Sequence, residues 1–127
     1  MQKIKNSIIL REDDYEILIA YLKDNRYDAK NARELGEELK KAKLVSKEKF
    51  PGDVVRLNSQ IKIKESSKNQ VMDITLVTPD QADIKERKIS VMAPVGTALI
   101  GFRKGQKISW QVPAGKKTFT IMEVVNH

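Results

Sequence analysis

Residues 90–101 read SVMAPVGTALIG, twelve positions without a charge in a chain whose residues are 32% charged. Pro94 cannot sit inside a central strand, because it lacks the amide hydrogen that a sheet ladder needs. It does fit the first turn of a helix, where a free amide is no loss. Val95, Ala98 and Leu99 then form an apolar face, and Gly101 stands where a helix ends in a left-handed residue. The stretch is thus predicted to be a strand, a short helix and a stop. Leu99 and Ile100 are expected to pack on a sheet, and Met92, Ala93 and Pro94 to lie on the surface at the strand-to-helix corner.

The flanking sequence supplies that sheet. From Pro51 onward the apolar period is two rather than 3.6. Val54 to Leu57, then Ile61 and Ile63 around Lys62, read as strand pieces joined at Asn58-Ser59. SSKN (66–69) is a turn, and Val71 to Thr78 is a strand with Met72, Ile74 and Leu76 on one face. Thr78-Pro79-Asp80 stops it, DQADIKERK is a polar loop, and Ile89 to Met92 resumes extended structure. Lys107 to Val112 alternates Ile108, Trp110 and Val112 against polar partners, and PAGK turns it into a last strand, Thr118 to Val125.

The amino-terminal 50 residues follow the helical period. REDDYEILIAYLKD (11–24) places Tyr15, Leu18 and Leu22 on one stripe, broadened by Ile17 and Tyr21. Glu12, Asp13, Asp14 and Glu16 crowd its start, where the helix dipole favours negative charge. After NRYD, Ala32, Leu35, Leu39 and Ala42 mark a second helix over about 29–43, with Asp28 as its N-cap. The short connection predicts an antiparallel hairpin, a small coiled coil whose arms of ~21 Å need support from the rest of the chain. The expected class is α+β: a helical hairpin over 1–50, a connector from Lys43 to Lys49, and an antiparallel sheet with one short helix over 51–127.

Composition narrows the function. The chain has 127 residues, no cysteine and no apolar run long enough to span a bilayer. A cytoplasmic monomer with no membrane contact is expected. The net charge of +7 invites an acidic partner, and most of the excess falls after residue 50. Lys62, Lys64, Lys85, Lys88, Lys104, Lys107, Lys116 and Lys117 are scattered at alternating or turn positions, as in a solvated strand face, so a nucleic-acid-binding domain is the second reading. His127 is the only histidine, and no phosphate-cradling glycine loop or zinc spacing occurs. No catalytic residue, metal or cofactor is expected.

These segments together resemble a known family. The hairpin, PxDVVxLNSxIKIK (51–64) and SVMAPVGTALIGFRKGQKISWQVPAG (90–115) closely resemble the GreA/GreB transcription elongation factors, and in particular their short Rnk-type branch. The resemblance implies an FKBP-like carboxy-terminal domain that docks on RNA polymerase at the rim of its secondary channel and aims the hairpin inward. In the longer members an acidic residue, Ser and Pro at the strand-to-helix corner meet a polymerase coiled coil. Here Met92, Ala93 and Pro94 stand there, with Val95 beside them, so the resemblance implies docking through apolar contact. Longer hairpins of the family carry two tip acids that help hold a catalytic magnesium, whereas this tip reads LKDNRYDAK, with Asp24 and Asp28 separated by Arg26. The implied protein binds polymerase without stimulating transcript cleavage. An FKBP-like prolyl isomerase is a further alternative, against which the few aromatic residues count.

Overall fold

The computed structural model describes residues 8–24, 29–112 and 115–126. Strand β1 (Ile9–Arg11) leads directly into α1 (Glu12–Leu22), and α2 (Ala29–Lys41) is followed by β2 (Lys43–Val45). β1 and β2 pair in parallel, Leu10 opposite Leu44. The segment 43–49, expected as a plain connector, therefore holds a strand and then a 3-10 turn at Lys47–Lys49. Three-residue strands carry no periodicity to read, so this small sheet had no local signal.

The remaining chain forms β3 (Gln60–Glu65), β4 (Gln70–Val77), β5 (Lys88–Ser90), α3 (Pro94–Leu99), β6 (Lys107–Val112) and β7 (Gly115–Val125). The five strands lie in the order β5-β4-β3-β7-β6, antiparallel except for β5 against β4. The turn at 66–69, the helix from Pro94 and strand β6 lie where the sequence puts them. Val54–Leu57 is not a strand: Val54 makes one bridge, to Arg103, and the chain turns at Leu57-Asn58. Extended structure also stops at Ser90, and Val91 and Met92 belong to a turn.

One core joins the two parts. Ile61, Ile63, Ile74, Leu76, Ile108, Phe119 and Ile121 line the inner face of the sheet, and Leu99 and Ile100 pack with them as expected. The same cluster takes in Ile8 and Leu10 of the amino-terminal segment, Leu18 of α1, and Leu35 and Leu39 of α2. Ile17, expected on the apolar stripe of α1, faces solvent instead. Gly101 explains the close entry of the amino-terminal segment. Its φ of +85° favours glycine, a Cβ there would sit 2.6 Å from the Ile8 Cβ, and its carbonyl accepts the Ile9 amide at 3.1 Å. Leu99 is fully buried, and Leu99→Ala is expected to lower stability by about 3 kcal/mol, measured by denaturant unfolding.

Candidate functional site

The strand-to-helix corner is built by a serine turn. Ser90 Oγ accepts the Met92 amide at 2.9 Å, and the Ser90 carbonyl accepts the Ala93 amide at 3.0 Å. Thr97 Oγ1 donates back to the Val91 carbonyl at 2.8 Å, tying the first turn of α3 to the end of β5. α3 also lies against the corner through Gly96. A Cβ at Gly96 would overlap the Ser90 carbonyl oxygen and come within 2.9 Å of the Val91 Cα.

This turn corrects one expectation. Met92 points into the core and is only 5% exposed, because the chain folds back at 90–92 rather than running out along the strand. Pro94 is exposed, while Ala93 and Val95 are half-buried. The accessible part of the corner is therefore Pro94, flanked by Ala93 and Val95.

The hairpin is tied down at two points on α1. Asp14, 1% exposed, receives both arms of the Arg56 guanidinium: Nε donates to Oδ2 at 2.9 Å and Nη2 to Oδ1 at 2.8 Å. Burial pushes the Asp14 carboxyl above its ordinary value, and the bonds from Arg56 hold it back. Seven residues on, the Tyr21 hydroxyl donates to Asp80, which together with the Thr78 side chain lowers that carboxyl to about 2. Beside Asp14, Asp13 is held at about 2, chiefly by hydrogen bonds from Arg11, whose Nε lies 2.9 Å from Oδ1.

The acidic start of α1, which the sequence suggests is helix-dipole electrostatics, thus divides into an exposed ion pair and a buried one. Arg56 was the missed partner. Its one signal is a lone cation between the apolar residues Val55 and Leu57. Of the tip residues, Asp24 is half-buried, with its amide on the Tyr21 carbonyl at 3.1 Å. Arg26 and Asp28, including the N-cap role expected of Asp28, lie outside the described residues. Among the described residues no three His, Cys, Asp or Glu side chains come together as a metal site would require.

Residues 50–126 match the family model described as "Transcription elongation factor, GreA/GreB, C-term". The chain is 38% identical over 118 residues to the "Regulator of nucleoside diphosphate kinase" of Escherichia coli strain K12, covering 88% of this chain and 83% of that protein. It is 34% identical over 90 residues to the transcription elongation factor GreA of Amoebophilus asiaticus, 71% of this chain but only 57% of that factor. Among solved structures, a GreA/GreB factor from Nitrosomonas europaea superposes with a TM-score of 0.80 at 33% identity, over 96% of this chain and 100% of that one. The GreA factor homolog 1 of Thermus thermophilus, at 21% identity and a TM-score of 0.52 over 95% of this chain and 100% of that one, shares the fold. The chain belongs to the GreA/GreB family of transcription elongation factors.

Proposed function

We propose that this protein is a cytoplasmic transcription regulator that binds RNA polymerase at the rim of the secondary channel and does not stimulate transcript cleavage. The carrying observation is the family match over 50–126, which contains the whole corner from Ser90 to Leu99. In this proposal residues 51–127 form an FKBP-like docking domain, residues 1–50 form a hairpin module packed on it, and Pro94 with Ala93 and Val95 makes the apolar contact. Met92 acts from beneath, as the side chain that seats the corner in the core.

The described part of α1 favours occupation of the channel mouth over deep entry. Asp14 and Tyr21 are both anchored to the sheet side of the molecule, by Arg56 and Asp80, so eight of the eleven residues of α1, Asp14 to Tyr21, lie at or between fixed points. Only the last residue of α1 and the tip beyond it lie past the second anchor. The open groove on the sheet, lined by Gln60, Thr75, Arg87 and Val125 among others, carries no aromatic ring of the kind that would hold a proline.

Retention by purified core polymerase at low salt tests the proposal, and failure to bind would sink it. Pro94→Asp is expected to weaken retention at least about tenfold with an unchanged melting temperature, because the new charge would be desolvated against an apolar partner. Met92→Asp is expected instead to lower the melting temperature, since it buries a carboxylate in the core. In a stalled-complex assay the wild-type protein is expected to leave the transcript uncut.

A further inference from the structure

Among the described residues the outer face of the sheet is open over β3, β7 and β6, where Lys107 and Lys116 are exposed, and the acids of the face gather at one half. Strand register puts Lys107, Thr120, Lys64 and Val71 in one row across β6, β7, β3 and β4. Toward the end of β6 the next row on this face holds Ser109 and Thr118, and Lys116 follows two residues nearer the start of β7. Inward-facing Ile63, Ile108, Phe119 and Ile121 alternate with these positions and confirm that they face outward. The acids of this face, Asp73, Glu86 and Glu123, lie at its other half, around the groove. Lys62 belongs to that half, bonded to Asp73 at 2.9 Å. Glu65, the one acid near the lysine rows, is buried on the inner side with Lys117 3.9 Å away.

Among the described residues Lys64, Lys107 and Lys116 make no ion pair. Lys64 and Lys107 stand two strands apart, ~10 Å, with a threonine hydroxyl between them. Three unpaired ammonium groups interleaved with the hydroxyls of Ser109, Thr118 and Thr120 match a line of phosphates, which accept hydrogen bonds from both groups. The described side chains of these rows include no aromatic ring, so the face offers no platform for stacking unpaired bases.

We propose that this half of the sheet, centred on Lys64, Lys107 and Lys116, binds the phosphate backbone of duplex DNA without reading sequence. The site is separate from the Pro94 corner, and its test uses the protein without polymerase.

Fluorescence anisotropy with a labelled 20-base-pair duplex, titrated from 50 to 200 mM salt, reads the contact directly. Three neutralised phosphates give a log–log salt slope of about −2.7. The triple variant Lys64→Gln, Lys107→Gln, Lys116→Gln is expected to lose affinity at least about tenfold at 50 mM salt and to flatten the slope by about 2.7, to near zero. The matching Lys→Arg triple keeps affinity and serves as the folding-neutral control. A second triple, Lys41→Gln, Lys47→Gln, Lys49→Gln, removes the same net charge elsewhere and is expected to change affinity little. Equal losses in the two Gln triples, no duplex binding at 50 mM salt, or tighter binding to the unpaired strand would each overturn the proposal.

Discussion

Gly96→Val is expected to cost about 4–5 kcal/mol, the largest loss of any single replacement considered for this chain. The cause is a backbone approach. Even a Cβ at this position overlaps the Ser90 carbonyl oxygen and crowds the Val91 Cα, and neither is the free end of a flexible side chain. To make room, α3 must move off β5. That would break the Thr97 hydroxyl bond to the Val91 carbonyl, tilt Leu99 out of its buried site and open the turn that seats Met92. Against a domain stability of about 5–15 kcal/mol, such a loss removes from about a third to nearly all of it. Urea unfolding of Gly96→Ala beside Gly96→Val provides the check. Alanine is expected to be nearly as harmful as valine, since the clash begins at Cβ, and a harmless alanine would show that the close approach is absent.

Arg56→Met is expected to destabilise by about 3–5 kcal/mol, because it leaves the Asp14 carboxylate buried without its counter-charge. The size of the loss should depend on pH, and its sign follows from linkage. Burial already raises the Asp14 carboxyl, and losing Arg56 raises it further. A group raised on folding binds its proton more tightly in the folded state, so the penalty is full above the folded value and is relieved as pH falls through it. The difference between wild type and Arg56→Met in chemical denaturation should therefore shrink toward acid pH. A difference that grows on acidification would show that the carboxylate is not held in a desolvated site. The double variant Asp14→Leu, Arg56→Met is expected to recover much of the loss, since apolar replacement of both partners removes the stranded charge.

The legible parts of this molecule are those with local signals. Pro94 and Gly101 bracket α3 because proline fixes φ at the helix start and glycine admits the positive φ after its end, and β4, β6 and β7 announce themselves by alternation over six residues or more. The helices follow from Leu18, Leu35 and Leu39 at helical spacing. The illegible parts are pairings across the chain. Asp14 and Arg56 lie 42 residues apart, Tyr21 and Asp80 are 59 apart, and neither pair leaves a pattern within its own segment. The inward position of Met92 has a related cause. A strand that runs straight to residue 92 would end on the surface, and the bonds of the Ser90 hydroxyl and carbonyl to the Met92 and Ala93 amides turn the chain inward two residues sooner. The corner was thus readable as a place, while the inward turn of one of its side chains was not.

The approach of Ile8 to Gly101 also bears on the order in which the molecule can be made. β1 finds its place only when two distant stretches are present, since Ile9 donates to the Gly101 carbonyl and Lys43 to that of Ile8. During synthesis at about 5–20 residues per second, the helices emerge several seconds before the glycine that receives the amino-terminal segment. In that interval the apolar sides of Leu10, Leu18 and Leu35 lack the core they share in the finished protein. That core closes only after Ile108, Phe119 and Ile121 have followed residue 101 out of the ribosome.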